Sequence, residues 1–212
     1  MNTEDKKEFI DGIIKRIRSI DYIKSEDIPD IGLYMDQVTT FMNDHLSSLK
    51  RYEGDKVLTK TMINNYSKNK LLPSPDKKKY GKEHMFLLIF IYYFKNMLSI
   101  RDIQGILSPL TEQFFGKKGA ELSLEDIYDE VFKVAQDSTT DITRTVLKEF
   151  NRAKGSFEDE EDEIKRKFLT DFSFIASLCF DIYIKKTIVE NMIDRGVLDI
   201  KGNSGGKREK KK

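Results

Sequence analysis

The segment "MFLLIFIYYF", Met85–Phe94, constrains this chain more than any other. It holds no charge, no glycine and no proline. A helix that is apolar all round must be covered on every side, in a protein core or in a bilayer. A membrane span needs about 20 such residues, and this run is closed by His84 and Lys95. Phe172–Phe180, the other dense run, is also too short. The reading is therefore a central core helix from Gly81 or Lys82 to about Leu98, with no membrane span. The opening "MNTEDKKEF" is too charged for a secretory leader, so the cytoplasm is the expected compartment.

Helical periodicity fills the rest of the chain. Phe9, Ile10, Ile13, Ile14, Ile17 and Ile20 share one face of a first helix, which gives way to a linker at Ser25–Pro29. A second helix, N-capped by Asp30, has Ile31, Tyr34, Met35, Val38, Phe41, Met42 and Leu46 inward. Thr59 caps a short polar helix that Pro73 and Pro75 end. Leu72–Tyr80 has room for one small hairpin. Ser99 caps a helix after the core run, and Ser123 with Asp126 opens another, which "DSTTD" at 137–141 is expected to break. A last helix runs from about Glu160 or Ile164 to Asp194, with Gly196 as its C-cap residue. The class is mainly α, with at most one small β-hairpin.

The residue inventory narrows the chemistry. Cys179 is the one cysteine and there are two histidines, too few for a Cys/His zinc site. Cys179, within "FIASLCFDIY", reads as a small buried hydrophobe. Neither His45 nor His84 has a nucleophile or carboxylate at a motif spacing, and no phosphate-binding glycine loop is present. No catalytic residue, metal ligand or cofactor is assigned, and no enzyme is expected.

Charge is distributed unevenly. Lys50–Lys82 holds ten basic and three acidic residues, a net of +7, whereas Thr111–Glu163 holds seven and fifteen, a net of −8. A basic block in a chain of net charge +1 points to one anionic partner surface. Within it, Met62, Ile63 and Tyr66 fall on the inner edge of the short polar helix. Lys60, Thr61, Asn64, Asn65 and Lys68 fall on its outer edge. Asparagine and lysine can bond base edges or phosphates, and Lys77, Lys78 and Lys79 can neutralise adjacent phosphates.

The stretch "NYSKNKLLPSPDKKKYGKEHMFLLIFIYYFKNMLSIRDIQGIL" resembles the DNA-binding domain of MerR-type regulators. Tyr66 matches the tyrosine of a recognition helix, and Leu71, Leu72 and Pro73 match its exit. Lys77–Tyr80 match a basic wing, and Ser99, Ile100 and Ile103 match the final helix. "IPDIGLYMDQVTTFM" and "LTKTMINNY" also resemble the family named domain of unknown function eighteen thirty-six. The MerR resemblance implies a winged helix-turn-helix, DNA as partner, and DNA contacts by Tyr66 and Tyr80 besides the outward residues above. Four positions depart from its pattern: Asn64 and Asn65 replace arginine and tyrosine, Lys70 a glycine, and Gly81 a serine.

The resulting plan has an amphipathic helix and linker over 1–27 and a winged helix-turn-helix over 28–112. A C-terminal helical domain over 113–200 and a disordered basic tail over 201–212 follow. The last helix, dense in phenylalanine and isoleucine, fills a bundle or pairs with a second chain, the homodimer that MerR-type proteins form. The leading expectation is a DNA-binding transcriptional regulator. The alternative is a protein-interaction module whose winged helix binds no DNA.

Overall fold

The computed structural model describes residues 11–17, 22–117 and 119–198. Seven helices appear among them: α1 (11–17), α2 (Met35–Leu46), α3 (Lys60–Lys68), α4 (Lys82–Phe94), α5 (Ile100–Phe114), α6 (Leu124–Lys154) and α7 (Glu163–Asp194). Two strands of two residues, β1 (Leu33–Tyr34) and β2 (Lys79–Tyr80), pair antiparallel with Leu33 opposite Tyr80. The protein is mainly α, as the periodicity predicts. The expected basic tail over 201–212, and residues 1–10 and 18–21 of the N-terminal segment, lie outside the described residues.

Helix α4 is the axle of the core: every residue from His84 to Ile91 is buried. Against it pack Val38, Met42 and Leu46 of α2, Ile63 of α3, Ile103 and Leu107 of α5, and Leu124, Tyr128 and Phe132 of α6. Phe86 and Phe90 meet Tyr128 with ring centres 4.4 and 5.6 Å apart, tilted as aromatic pairs prefer. The Tyr128 hydroxyl donates to the Ile23 carbonyl at 2.5 Å, and Ser25 donates to Asp129 at 2.8 Å. These bonds tie the entering chain to α6. The packed unit thus reaches from Ile23 to Phe132, longer at both ends than the 28–112 read from the sequence. Periodicity could not reveal this, because α6 uses one continuous stripe first against α4 and then against α7.

The helix ends follow local chemistry. Thr59, Ser99 and Ser123 accept from backbone N–H groups three residues on, and Asp162 accepts from Ile164 and Lys165. Gly196, at φ +65°, ends α7 in a left-handed turn closed by Val197 N–H donating to the Met192 carbonyl.

Four readings need correction. Helix α2 begins at Met35, not after Asp30, because Leu33–Tyr34 is drawn into the strand pair; Ile31 and Tyr34 are therefore exposed and only Leu33 points inward. Helix α6 runs unbroken through "DSTTD", where Ser138 and Thr139, with Thr143 just beyond, donate to carbonyls four residues back and stay compatible with the helix. The partner of β2 comes from before α2, so Leu72–Tyr80 supplies only a turn with the single bridge Asp76–Lys79. Helix α7 buries only Phe174, and Cys179 is exposed, because α6 covers one side of α7 within the chain.

Candidate functional site

Helix α3 displays what its periodicity predicts. Lys60, Thr61, Asn64, Asn65 and Lys68 are exposed, Ile63 and Tyr66 are buried, and Met62 is half-buried. Its entrance is pinned from α4, since the Lys95 ammonium donates to the Val57 carbonyl at 2.6 Å. Burial holds that ammonium below its ordinary pKa. Its exit is a Schellman turn: Leu71 N–H donates to the Tyr66 carbonyl at 2.9 Å and Lys70 N–H to the Ser67 carbonyl at 3.1 Å. The left-handed residue in that turn is Lys70, at φ +57°, where glycine is the usual occupant.

The lysine-rich turn repeats this pattern. Lys77 and Lys78 both lie at positive φ, +46° and +66°, and Lys79 N–H donates to the Asp76 carbonyl at 2.8 Å. Two consecutive left-handed residues inside such a bond mark a type I′ turn, which favours Asn-Gly. Of the four non-glycine residues at positive φ among the described residues, three are thus lysines between α3 and β2. Each accepts backbone strain where glycine would relieve it.

The turn is held from below. Lys79 places its ammonium 5.2 Å from the centre of the Tyr34 ring. Gly32 leaves room for this, since a Cβ there would lie 3.0 Å from Lys79 Cβ. Tyr80 is buried and meets His84 edge-on at 5.5 Å, and His84 meets Phe115 in the same way at 4.8 Å. Gly81 N–H donates to His84 Nδ1 at 3.1 Å, closing half a capping box and leaving the proton of the neutral ring on buried Nε2. Nε2 makes no well-formed hydrogen bond among the described residues, although the backbone of Ser74 and Pro73 lies near enough to favour the protonated ring. Burial pushes this imidazole below its ordinary pKa, opposed by the backbone at Ser74 and Pro73.

Of the ten residues assigned to DNA from the sequence, eight are exposed and gather on α3 and the turn. Tyr66 and Tyr80 do not join them: both rings are core, and burial raises both hydroxyl pKa values. Lys60 is exposed but forms an ion pair with Asp36 on α2. Sequence reasoning missed Tyr34, read as inward, and the strain at Lys70, which was signalled by its place two residues after Lys68 ends the helix and by the glycine that it replaces in the MerR pattern.

Fold and surface together define a small helical protein that presents a polar helix and a strained lysine turn from one aromatic core. The chain belongs to the family described as domain of unknown function (DUF1836), whose model matches residues 23–131, just over half of its length. That span coincides with the packed unit around α4. No curated protein and no solved structure matches the chain.

Proposed function

We propose that this protein binds DNA through a winged helix-turn-helix resembling that of MerR-type regulators and acts in transcriptional regulation. In this reading α2 and α3 are the helix-turn-helix, and Lys60, Thr61, Asn64, Asn65 and Lys68 enter a groove. Lys77, Lys78 and Lys79 form the wing and contact phosphate. The observation that carries the reading is that three exposed lysines, Lys70 at the exit of α3 and Lys77 and Lys78 in the turn that follows, are held at positive φ. Strain is retained at sites where another interaction repays it, and an exposed cationic tip suits a phosphate backbone. Two copies joined through their C-terminal helices would present two such surfaces, matching two-fold sites in DNA.

The test is fluorescence anisotropy with random-sequence duplex over a salt series. Binding should weaken steeply with salt. Changing Lys77, Lys78 and Lys79 to Glu should lower affinity and flatten the salt slope. No binding at low salt would remove the reading and leave the protein-interaction alternative.

A further inference from the structure

The outer face of α3 carries its charge at the ends and its amides in the middle. Lys60 and Lys68 stand at the first and last positions of the helix, with Thr61, Asn64 and Asn65 between them, all exposed. Thr61 precedes the two asparagines by three and four residues, and Lys68 follows them by four and three, so the four share one stripe. Two adjacent asparagines are a poor local choice inside a helix, because the amide competes for backbone bonds. Asn69, just past the helix end, uses its amide in that way and donates to the Asn65 carbonyl at 2.8 Å. The side-chain amides of Asn64 and Asn65 bond to nothing among the described residues. Residues that weaken a helix and bond nothing within it are expected where a ligand uses them.

We infer, resting on the DNA-binding reading above, that Asn64 and Asn65 are the base-reading residues of α3 and that they select adenine in the major groove, so that the protein prefers A·T base pairs. Each side-chain amide carries an acceptor oxygen and a donor nitrogen. The oxygen accepts from adenine N6–H while the nitrogen donates to N7, a bidentate match to that edge. Guanine presents two acceptors there, O6 and N7, and would leave the amide oxygen facing another acceptor. The commonest guanine contact is a bidentate cation, arginine above all. Residues 52–100 hold nine lysines and no arginine, so neither α3 nor the lysine turn carries a guanidinium fork.

The order of residues along α3 separates base contacts from phosphate contacts. Phosphates line the edges of a groove and base edges form its floor, so cations at the two ends of the face and neutral amides at its centre fit both. A surface meant for phosphate alone would gain from a cation at each position. Successive helical residues are turned by about 100°, so Asn64 and Asn65 address adjacent bases and not the same one. The Thr61 methyl group, one turn earlier on the stripe, suits the methyl group of thymine. Lys60 is engaged by Asp36, which leaves the two amides as the uncommitted polar groups at the centre of the face.

The experiment uses the full chain and three duplexes of equal length and alternating sequence, dA-dT, dG-dC and dI-dC, compared by fluorescence anisotropy over a salt series. An inosine–cytosine pair lacks the 2-amino group and so matches A·T in the minor groove, while its O6 and N7 match G·C in the major groove. The dA-dT duplex should bind roughly tenfold more tightly, or better, than either of the others. Asn64→Ala with Asn65→Ala should bring it down to their level with the salt slope unchanged, since neither amide is charged. Both side chains are exposed and alanine favours the helix, so circular dichroism should not fall. Equal binding to dA-dT and dG-dC would overturn this inference and leave the DNA reading standing. So would a preference that dI-dC shares, which belongs to the minor groove and duplex shape, or one that survives the double alanine variant. No binding to any of the three at low salt would remove both readings.

Discussion

The backbone of Leu33 pairs with that of Tyr80, joining the chain just before α2 to the chain just after the lysine turn. The pairing encloses α2 and α3 between its two strands. It fixes the turn against the start of α2, while Tyr80 and His84 anchor it to α4. Position and charge at the turn are thus set by different residues, which makes them separable by mutation.

Lys77→Gly and Lys78→Gly should each stabilise the protein by roughly 0.5–1 kcal/mol, because relief of about 1–2 kcal/mol of left-handed strain exceeds glycine's added chain entropy of about 0.5–1 kcal/mol. The same changes should weaken duplex binding and reduce the salt slope by about 0.9 for each phosphate that is no longer neutralised. Urea denaturation and anisotropy measure the two effects side by side. A stability loss would show that the turn is not strained.

Asn64→Arg places a guanidinium on the exposed face of α3. Duplex affinity should rise several-fold, with a salt slope steeper by about 0.9 if the new group reaches a phosphate. Stability should stay within about 0.5 kcal/mol, as for other exposed substitutions. Unchanged affinity would place the outer face of α3 away from DNA.

His84 should make the protein acid-sensitive. Its folded pKa lies below the ordinary 6.5, so below that pH the unfolded chain binds the proton more readily than the folded one. Stability is then full above about pH 6.5 and falls as the pH drops from there towards the folded pKa. His84→Gln keeps an acceptor for Gly81 N–H and removes the titration. The difference in melting temperature between pH 7 and pH 5 should shrink in this variant, and an equal difference in both proteins would assign the acid sensitivity elsewhere.

Tyr128→Phe removes the hydroxyl that reaches the Ile23 carbonyl and should cost about 1–3 kcal/mol by leaving a buried acceptor unpaired. Amide exchange should speed up around Ile23–Ile28 in particular. Equal exchange there would show that Ser25 and Asp129 hold the segment unaided.

Much of the architecture is local and so legible in the sequence. Thr59, Ser99 and Ser123 cap helices because a side-chain oxygen three residues before an amide needs no distant partner. The inner and outer edges of α3 follow from its 3.6-residue period alone. Met85–Phe94 had to be central, because no apolar helix of that length is stable with an open side.

What stayed hidden depended on partners far along the chain. Leu33–Tyr34 continues the period of α2, and only the distant backbone of Tyr80 turned it into a strand. Lys77 and Lys78 carry no sequence mark of positive φ, and Lys70 only its place after α3 and the glycine that it replaces in the MerR pattern; a Schellman turn and a type I′ turn imposed it on them. Tyr80 looks like a surface group beside lysines until α4 is packed against it. The amino-acid sequence alone determined the helices, their caps and the composition of the basic face, because those depend on neighbours within about four residues. Tertiary structure alone decided the strand pairing, the strain in the lysines and the uncovered side of α7, because each depends on which surfaces meet once the chain has closed around α4.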